Sequence, residues 1–374
     1  MSTNPSAERI AADFEAWSRA CPPESAALAR AIDDGTRPCY VLGRNEHSRF
    51  MAARVPLAGV IDDAATPGQR WCDLPVVHGD SVPADACVIS AVLHRRPHQA
   101  RQRIRAMAQA PRELAYADLM RLDPARHAPL PFCAAARAAF TEHRQRFAEV
   151  ASRLVDSTSH QVLRDIMLYR LTADADFTAG YSLRDDEQYF DVDMAFACPP
   201  RFVDGGAFRG ETTEYFLRHH PHNCGAEVFE PNPASLALAR QRLAGNRDIA
   251  FHPLALGDAA GSVGFDASAA NASRVSDHGE LRVQVAALDD VVREPVHFIK
   301  YDLEGYETRA IDGARATIER NHPHLAICVY HSVMDFIDVP RHVLAVRDDY
   351  DLLLRHYTQG WEETVMYFIP RRRT

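Results

Sequence analysis

The sequence lacks most of the features that would announce a function at once. Its eight cysteines never form a C-x-x-C pair, which removes the spacing that zinc ribbons and redox motifs need. Scattered thiols of this kind fit buried side chains in a reducing compartment. No apolar run reaches the about 18 residues of a membrane-spanning helix, so no membrane association is predicted. Positive charge is in deficit: the formal net charge is −9, whereas a nucleic-acid partner requires a concentrated basic surface. The closing "PRRR" before Thr374 reads as a solvated tail. The opening "MSTNPSAERIAADFEAW" has no basic segment leading into an apolar one, so no secretory leader is expected and a cytoplasmic location is. The G-x-G-x-x-G fingerprint of dinucleotide folds is absent too.

What is present is ordinary globular composition, 374 residues with 47% apolar and 25% charged, enough for two domains and a connector. Residues 1–106 hold the short β-like runs "PCYVLG", "AGVIDD", "LPVVHG" and "ACVISAV" among helical or turn-rich stretches, which predicts a small α/β nucleotide-binding-like domain. "VLGRNEHS" is its first strand-to-helix turn. A single glycine, Gly43, is a thin basis for phosphate binding there, and Asp62-Asp63 may be read as a plain turn. Residues 107–190 are mostly helical: Phe140, Phe147, Val150 and Leu154 share one face, as a packed connector requires. Its end, "DDEQYF", sits just before the next domain. Residues 191–374 alternate strand and helix regularly, through "RFVDGG", "ETTEYFLRHH", "AEVFE", "ASLALARQRL", "IAFHPLAL", "VQVAAL", "HFIKYDLEG", "ETRAIDGARATIER" and "LAICVYH". "YDLLLRHY" and "ETVMYFIP" leave no room for a crossover helix, which predicts an antiparallel pair at one sheet edge.

The stretch "FVDGGAFRG" at 202–210 carries the chemistry. Laid on the dinucleotide pattern it fails, with Asp204 and Arg209 where glycines belong. Its own spacing is D-x-G-x-x-x-G, from Asp204, Gly206 and Gly210. That suits a ligand without a pyrophosphate but with a cationic amino-acid end, because glycines let the backbone approach closely and a carboxylate stands nearby. S-adenosyl-L-methionine is such a ligand. Ala207 and Thr212 complete the turn. Glu230 ends the next strand in "VFEPNP", 26 residues after Asp204, where a carboxylate accepts from ribose hydroxyls; Asn232 follows it. Leu256 and Asp258 in "ALGD" stand where they would border an adenine. The competing reading of the turn is a tight strand-to-helix connection with no ligand.

Residues 140–370 resemble the FkbM family of S-adenosylmethionine-dependent methyltransferases, through "FVDGGAFRGETT", "VFEPNP", "PLALGD", "FIKYDLEGYETRAIDGA", "HLAICVYH" and "LRHY…ETVMYFIP" in that order. "LVDSTSHQVLRDIMLYRL" and "EQYF" resemble the helical lead-in of a subgroup. The resemblance implies a Rossmann-like methyltransferase fold, transfer to a hydroxyl, and acceptors among sugars and other secondary metabolites. The first hundred residues are similar to a small Rossmann-type domain attached to some bacterial sugar-modifying enzymes, which implies a carbohydrate pathway. "RNEHS" departs from the glycine-richer turn usual there.

Polar groups beyond the strand ends are the catalytic candidates. His331 is the expected base, with Asp302 or Glu304 orienting it or the acceptor. Helix capping is the other reading of both acids, and a structural histidine the other reading of His331; for Lys300 and His356 the structural reading leads. A divalent metal, magnesium by its oxygen preference, held by Asp302, Glu304 and a histidine is a further alternative. The expected partners are a small-molecule or glycan acceptor, with a nucleotide sugar among the options, and a second copy of the chain. A nucleotide-dependent oxidoreductase and a cofactor-binding protein without turnover are the rival functions.

Overall fold

The computed structural model describes residues 5–266, 274–275 and 281–371. The chain divides into two compact units. The first comprises 1–151, 161–185 and 357–362, the second 152–160, 186–356 and 363–374. Most of the 107–190 stretch expected as a connector is therefore counted in the first unit, and 152–160 in the second.

The first unit is built on β1 (Cys39–Leu42), β2 (Leu57–Ile61), β3 (Arg70–Trp71), β4 (Leu74–Val77), β5 (Cys87–Ser90) and β6 (Arg112–Glu113). Their order is β3-β4-β2-β1-β5-β6, parallel except for the β3–β4 hairpin. The valine, isoleucine and cysteine runs of β1, β2 and β5 are covered on both faces, as parallel strands require.

In the second unit, β7 (Phe202–Gly205), β8 (Ala226–Phe229) and β9 (Ile249–His252) are followed by four strands of a separate sheet: β10 (Ala255–Leu256), β11 (Gly261–Asp266), β12 (Arg274–Val275) and β13 (Leu281–Ala286). Then come β14 (Phe298–Tyr301), β15 (His324–Cys328), β16 (Tyr350–His356) and β17 (Thr364–Pro370). The main sheet runs β16-β17-β15-β14-β7-β8-β9, and β17 pairs antiparallel with both β15 and β16. The α/β class and the antiparallel edge pair agree with the sequence. One expected strand is two: "IAFHPLAL" breaks at Pro253, which has no amide for the ladder, and β9 and β10 enter different sheets. Likewise "ETRAIDGARATIER" forms two helices, Glu307–Asp312 and Arg315–Asn321.

No described helix is long and apolar enough to cross a membrane, and all eight cysteines are free thiols.

The centre of the main sheet is apolar, with Phe202 stacked on Phe216 and Phe298 at 4.6 and 4.9 Å between ring centres. Within it lies one cation. Lys300 on β14 stands directly opposite Asp204 on β7 in the parallel register. Its Nζ lies 3.1 Å from Asp204 Oδ1 and donates to the carbonyls of Gly206 at 2.7 Å and Gly205 at 3.2 Å. Asp204 is fully buried and Lys300 nearly so. Burial alone would lower the Lys300 ammonium, but the Asp204 and Asp302 carboxylates outweigh it and hold it above its ordinary value. Removing one member of such a pair leaves an uncompensated buried charge, which costs about 3–5 kcal/mol. Lys300→Met is expected to lose stability on that scale in urea titration, and Asp204→Asn/Lys300→Met to recover part of it. A single variant as stable as the parent would show that the pair is not what holds these strands.

Candidate active site

The chain leaves β7 towards β8 on one side, while β14 flanks β7 on the other. Beyond the carboxyl ends of such strands a crevice opens, the usual ligand position in open α/β sheets. The glycine turn occupies it. Gly206 has φ +72°, and a Cβ there would lie 1.9 Å from the Asp302 carbonyl oxygen; no side chain fits. The Gly206 and Ala207 amides both donate to the Phe229 carbonyl, at 3.0 and 3.1 Å. Phe208 takes a left-handed φ of 48°, which aims its amide at Glu230. Gly210 turns the chain into helix Glu211–His219, its amide on the Ala207 carbonyl at 2.8 Å.

Glu230 is buried just beyond β8. Its Oε2 accepts from the Phe208 amide and its Oε1 from the Asn232 amide, each at 2.8 Å. Burial dominates and pushes its carboxyl up to about 7, against the pull of those two amides. Asn232 itself caps helix Pro233–Arg242.

The other expected cofactor residues are spread more widely. Asp204 does not face the crevice as an open anion: besides Lys300 it accepts from the Thr213 hydroxyl at 2.7 Å. Thr213, one position on from the expected Thr212, is thus the hydroxyl in contact. Leu256 is buried, its Cδ1 3.1 Å from where a Gly205 Cβ would stand. Asp258 is exposed and pairs with Arg309 at 3.4 Å.

The three catalytic candidates do come together. Asp302 follows β14 and His331 follows β15, neighbouring parallel strands. His331 Nε2 lies 3.3 Å from Asp302 Oδ1 and 3.5 Å from Glu304 Oε2, and its Nδ1 lies 3.1 Å from Glu307 Oε1. Asp302 also accepts from the Tyr189 hydroxyl at 3.0 Å and the Tyr330 hydroxyl at 3.2 Å. Glu307 is buried and accepts the Leu303 amide at 2.7 Å. Glu304, at a left-handed φ of 55°, is the least buried acid of the set, its side chain 36% exposed.

Burial would lower the His331 imidazolium, but Glu307 and Asp302 together hold it well above its ordinary value. Burial would raise Asp302, but His331, Lys300 and Tyr189 hold it below the usual carboxylate range. Burial, with Asp302 and Glu307 repelling a further negative charge, pushes Glu304 up to about 7 although His331 opposes it. The surrounding acids thus favour the imidazolium form of His331, while Glu304 is pushed towards neutrality. The ring sits as a wedge between acids, one nitrogen to Glu307 and the other to Asp302 and Glu304. One ligand atom from each of Asp302, Glu307 and His331 lies within 4.8 Å of the others, so a metal ion would be held by these three, with Glu307 in the place expected for Glu304. His356 is buried with Nδ1 at 2.9 Å from the Thr364 hydroxyl, the structural role expected for it.

The sheet order and its glycine crevice define the class of protein: a methyltransferase fold. The chain matches a solved methyltransferase FkbM from Methylobacillus flagellatus KT with TM-score 0.71 and 20% identity, covering 97% of this chain and 100% of that one. An rRNA methylase from Streptococcus thermophilus aligns with TM-score 0.31 and 15% identity, over 54% of this chain and 96% of its own. Residues 204–359 match the family model for the methyltransferase FkbM domain. No curated protein matches the chain.

Four participants escaped the sequence reading: Thr213, Tyr189, Glu307 and Tyr330. Tyr189 and Tyr330 lie inside "EQYF" and "CVYH", but nothing in spacing alone turns either hydroxyl towards Asp302.

Because the fold favours protonated Glu230, its contribution to stability is full below the ordinary 4.5 and is lost as pH rises to about 7. The change is on the order of 3 kcal/mol at most. Glu230→Gln is expected to flatten this fall, whatever its effect on absolute stability. Denaturation midpoints at about pH 5 and about pH 8 for parent and variant check it; an unchanged pH slope would refute the assignment.

Proposed function

We propose that this chain is an O-methyltransferase that moves a methyl group from S-adenosylmethionine to a hydroxyl of a sugar or sugar-bearing metabolite. The observation that carries the reading is buried Glu230 closing over a turn whose backbone at Gly206 has no room for a Cβ. The fit is chemical as well as steric. Each Glu230 oxygen accepts one backbone amide and keeps a lone pair able to accept from a diol hydroxyl, and the turn presents bare peptide to a ligand. When bound, S-adenosylmethionine supplies a methyl group already activated on a sulfonium.

The residues of the chain do the rest. Glu230 binds, and the Gly206 turn fixes the approach. The Asp302–His331–Glu307 cluster holds its charges in place through the Tyr189 and Tyr330 hydroxyls. Glu304, exposed and raised to about 7, is the group able to accept the acceptor's hydroxyl proton at neutral pH. His331, already protonated, then orients Glu304 and stabilises it as the charge changes. Sugar acceptors are supported by the resemblances of both parts of the sequence; the fold by itself is shared with transfers to other nucleophiles.

Titration calorimetry with S-adenosylhomocysteine tests the cofactor assignment. Parent protein is expected to bind it, and Glu230→Ala to weaken binding about 10- to 100-fold through two lost charge-assisted hydrogen bonds. A larger thermal shift with NAD(P) than with S-adenosylhomocysteine would instead establish the oxidoreductase. On a panel of hydroxylated acceptors, turnover is expected to rise with pH through about 7 as Glu304 deprotonates. Glu304→Gln should reduce kcat by about 10²- to 10⁴-fold, abolish that limb and leave cofactor affinity unchanged. Cofactor binding without product across the panel would favour a protein without turnover.

A further inference from the structure

The "RNEHS" turn of the first unit has its own arrangement. It leaves β1, and the chain moves to β2 on one side while β5 lies on the other, so the carboxyl ends of β1 and β5 form the switch point of that sheet. The helix following the turn, Glu46–Ala52, is already capped by Asn45, whose Oδ1 accepts the Ser48 amide at 3.0 Å. The Asn45 side chain also donates to the Ala91 carbonyl at 2.9 Å, tying the turn to the end of β5. What fills the switch point is side-chain nitrogen and oxygen.

His47 Nε2 lies 2.8 Å from His94 Nε2. Glu46 Oε1 lies 3.0 Å from His94 Nε2 and 3.7 Å from His47 Nε2. Three donor atoms thus face one point. Atoms bound about 2.1 Å from one tetrahedral ion stand about 3.4 Å apart, and the three separations bracket that value. Behind His94, Nδ1 lies 2.8 Å from Glu362 Oε1. That bond fixes the ring so that Nε2 is turned to the other two donors, the arrangement by which metal-binding imidazoles are oriented. Glu362 is held there by backbone: the Gln359 and Trp361 amides donate to the Arg95 and His94 carbonyls, each at 3.0 Å. Gly360 between them passes so close that a Cβ would fall 1.5 Å from the His94 oxygen. Phe132 and Trp361 wall the two imidazoles, at 5.5 Å from His47 and 5.0 Å from His94.

His47 is not a satisfied structural histidine. It is 4% exposed, its Nδ1 has no hydrogen-bond partner, and its Nε2 meets another imidazole. One shared proton can bridge the two Nε2 atoms at 2.8 Å, and a metal cation placed among the three donors would instead take both imidazole lone pairs together. Glu46 is exposed, so the outer side of the point is open to water or to a ligand oxygen.

We propose that Glu46, His47 and His94 form a binding site for a divalent transition metal of the zinc class, with Glu362 orienting His94 and at least one coordination position open. Two imidazoles and a carboxylate are the donor set of a zinc ion that keeps an exchangeable ligand. The open position takes an oxygen donor such as water, a hydroxyl or a phosphate.

The test is zinc itself. Full-length protein is stripped with chelator, confirmed folded by circular dichroism, and titrated with Zn²⁺. One equivalent is expected to bind. His47→Gln and His94→Gln should each weaken it by more than the about 10- to 100-fold that losing a supporting group costs, and Glu362→Gln by about that amount. Asp302→Asn, in the second unit's cluster, should leave it unchanged. X-ray absorption on the zinc-loaded parent needs no variant and should show two imidazoles in the shell. The proposal fails if the folded, stripped protein takes up no zinc. It fails if binding survives both histidine variants or depends on Asp302, or if the shell is sulfur or oxygen alone.

Discussion

A single buried ammonium organises the second unit. Lys300 neutralises Asp204 across the β7–β14 register and at the same time holds the carbonyls of Gly205 and Gly206. Those contacts decide where β7 ends and how the chain turns. Gly206 is thereby pressed against the Asp302 carbonyl, and the Asp302 side chain is left at the mouth of the crevice beside His331. The lysine is buried, yet the Gly206 turn and the place of Asp302 are both set by it. Parallel strands are ordinarily apolar through and through; a charge pair in their midst fixes register at a cost in desolvation.

The same charge helps to sort the carboxylates. Asp302 lies near Lys300 and accepts two tyrosine hydroxyls, so it stays ionised. Glu304 is driven the opposite way, first by burial and then by the neighbouring acids Asp302 and Glu307, against the pull of His331. Groups pushed apart in this manner take separate tasks: one fixes charge, the other exchanges a proton. His331 between them is held as a cation, and its part follows from that charge rather than from the ordinary titration of a free imidazole.

How far the sequence reveals this depends on range. Strands, their edge pair and the glycine turn were legible because they rest on local patterns: alternation, a glycine between acid and helix, two strands too close for a crossover. Glu230 and the Asp302–Glu304–His331 group were legible because strand ends converge in this fold. The partnership of Asp204 with Lys300 was not. The sequence suggests an acid offered to a ligand, but which residue faces it across the sheet is settled by register over 96 positions. Tyr189 and Tyr330 reach Asp302 only through tertiary packing. The division of "IAFHPLAL" did have a local sign, Pro253, whose missing amide outweighs the β-like run on either side.

The two units apply one topological rule to different ends. In each, the chain departs from a central strand to one side and a later strand fills the other, which leaves a crevice at the carboxyl ends. In the second unit the turn at those ends is glycine backbone pressed on the Asp302 carbonyl, with Glu230 holding the Phe208 and Asn232 amides beside it. In the first unit the equivalent turn reads Gly43, Arg44, Asn45, Glu46, His47. Arg44 is drawn off to Asp62 at 2.5 Å, and Asn45 is spent on the helix cap. What remains facing the crevice is two imidazoles and an acid. Side chains in place of glycine at such a turn put imidazole nitrogen and carboxylate oxygen where bare backbone would otherwise face a ligand, and on the proposal above that favours a compact cation over an extended anion.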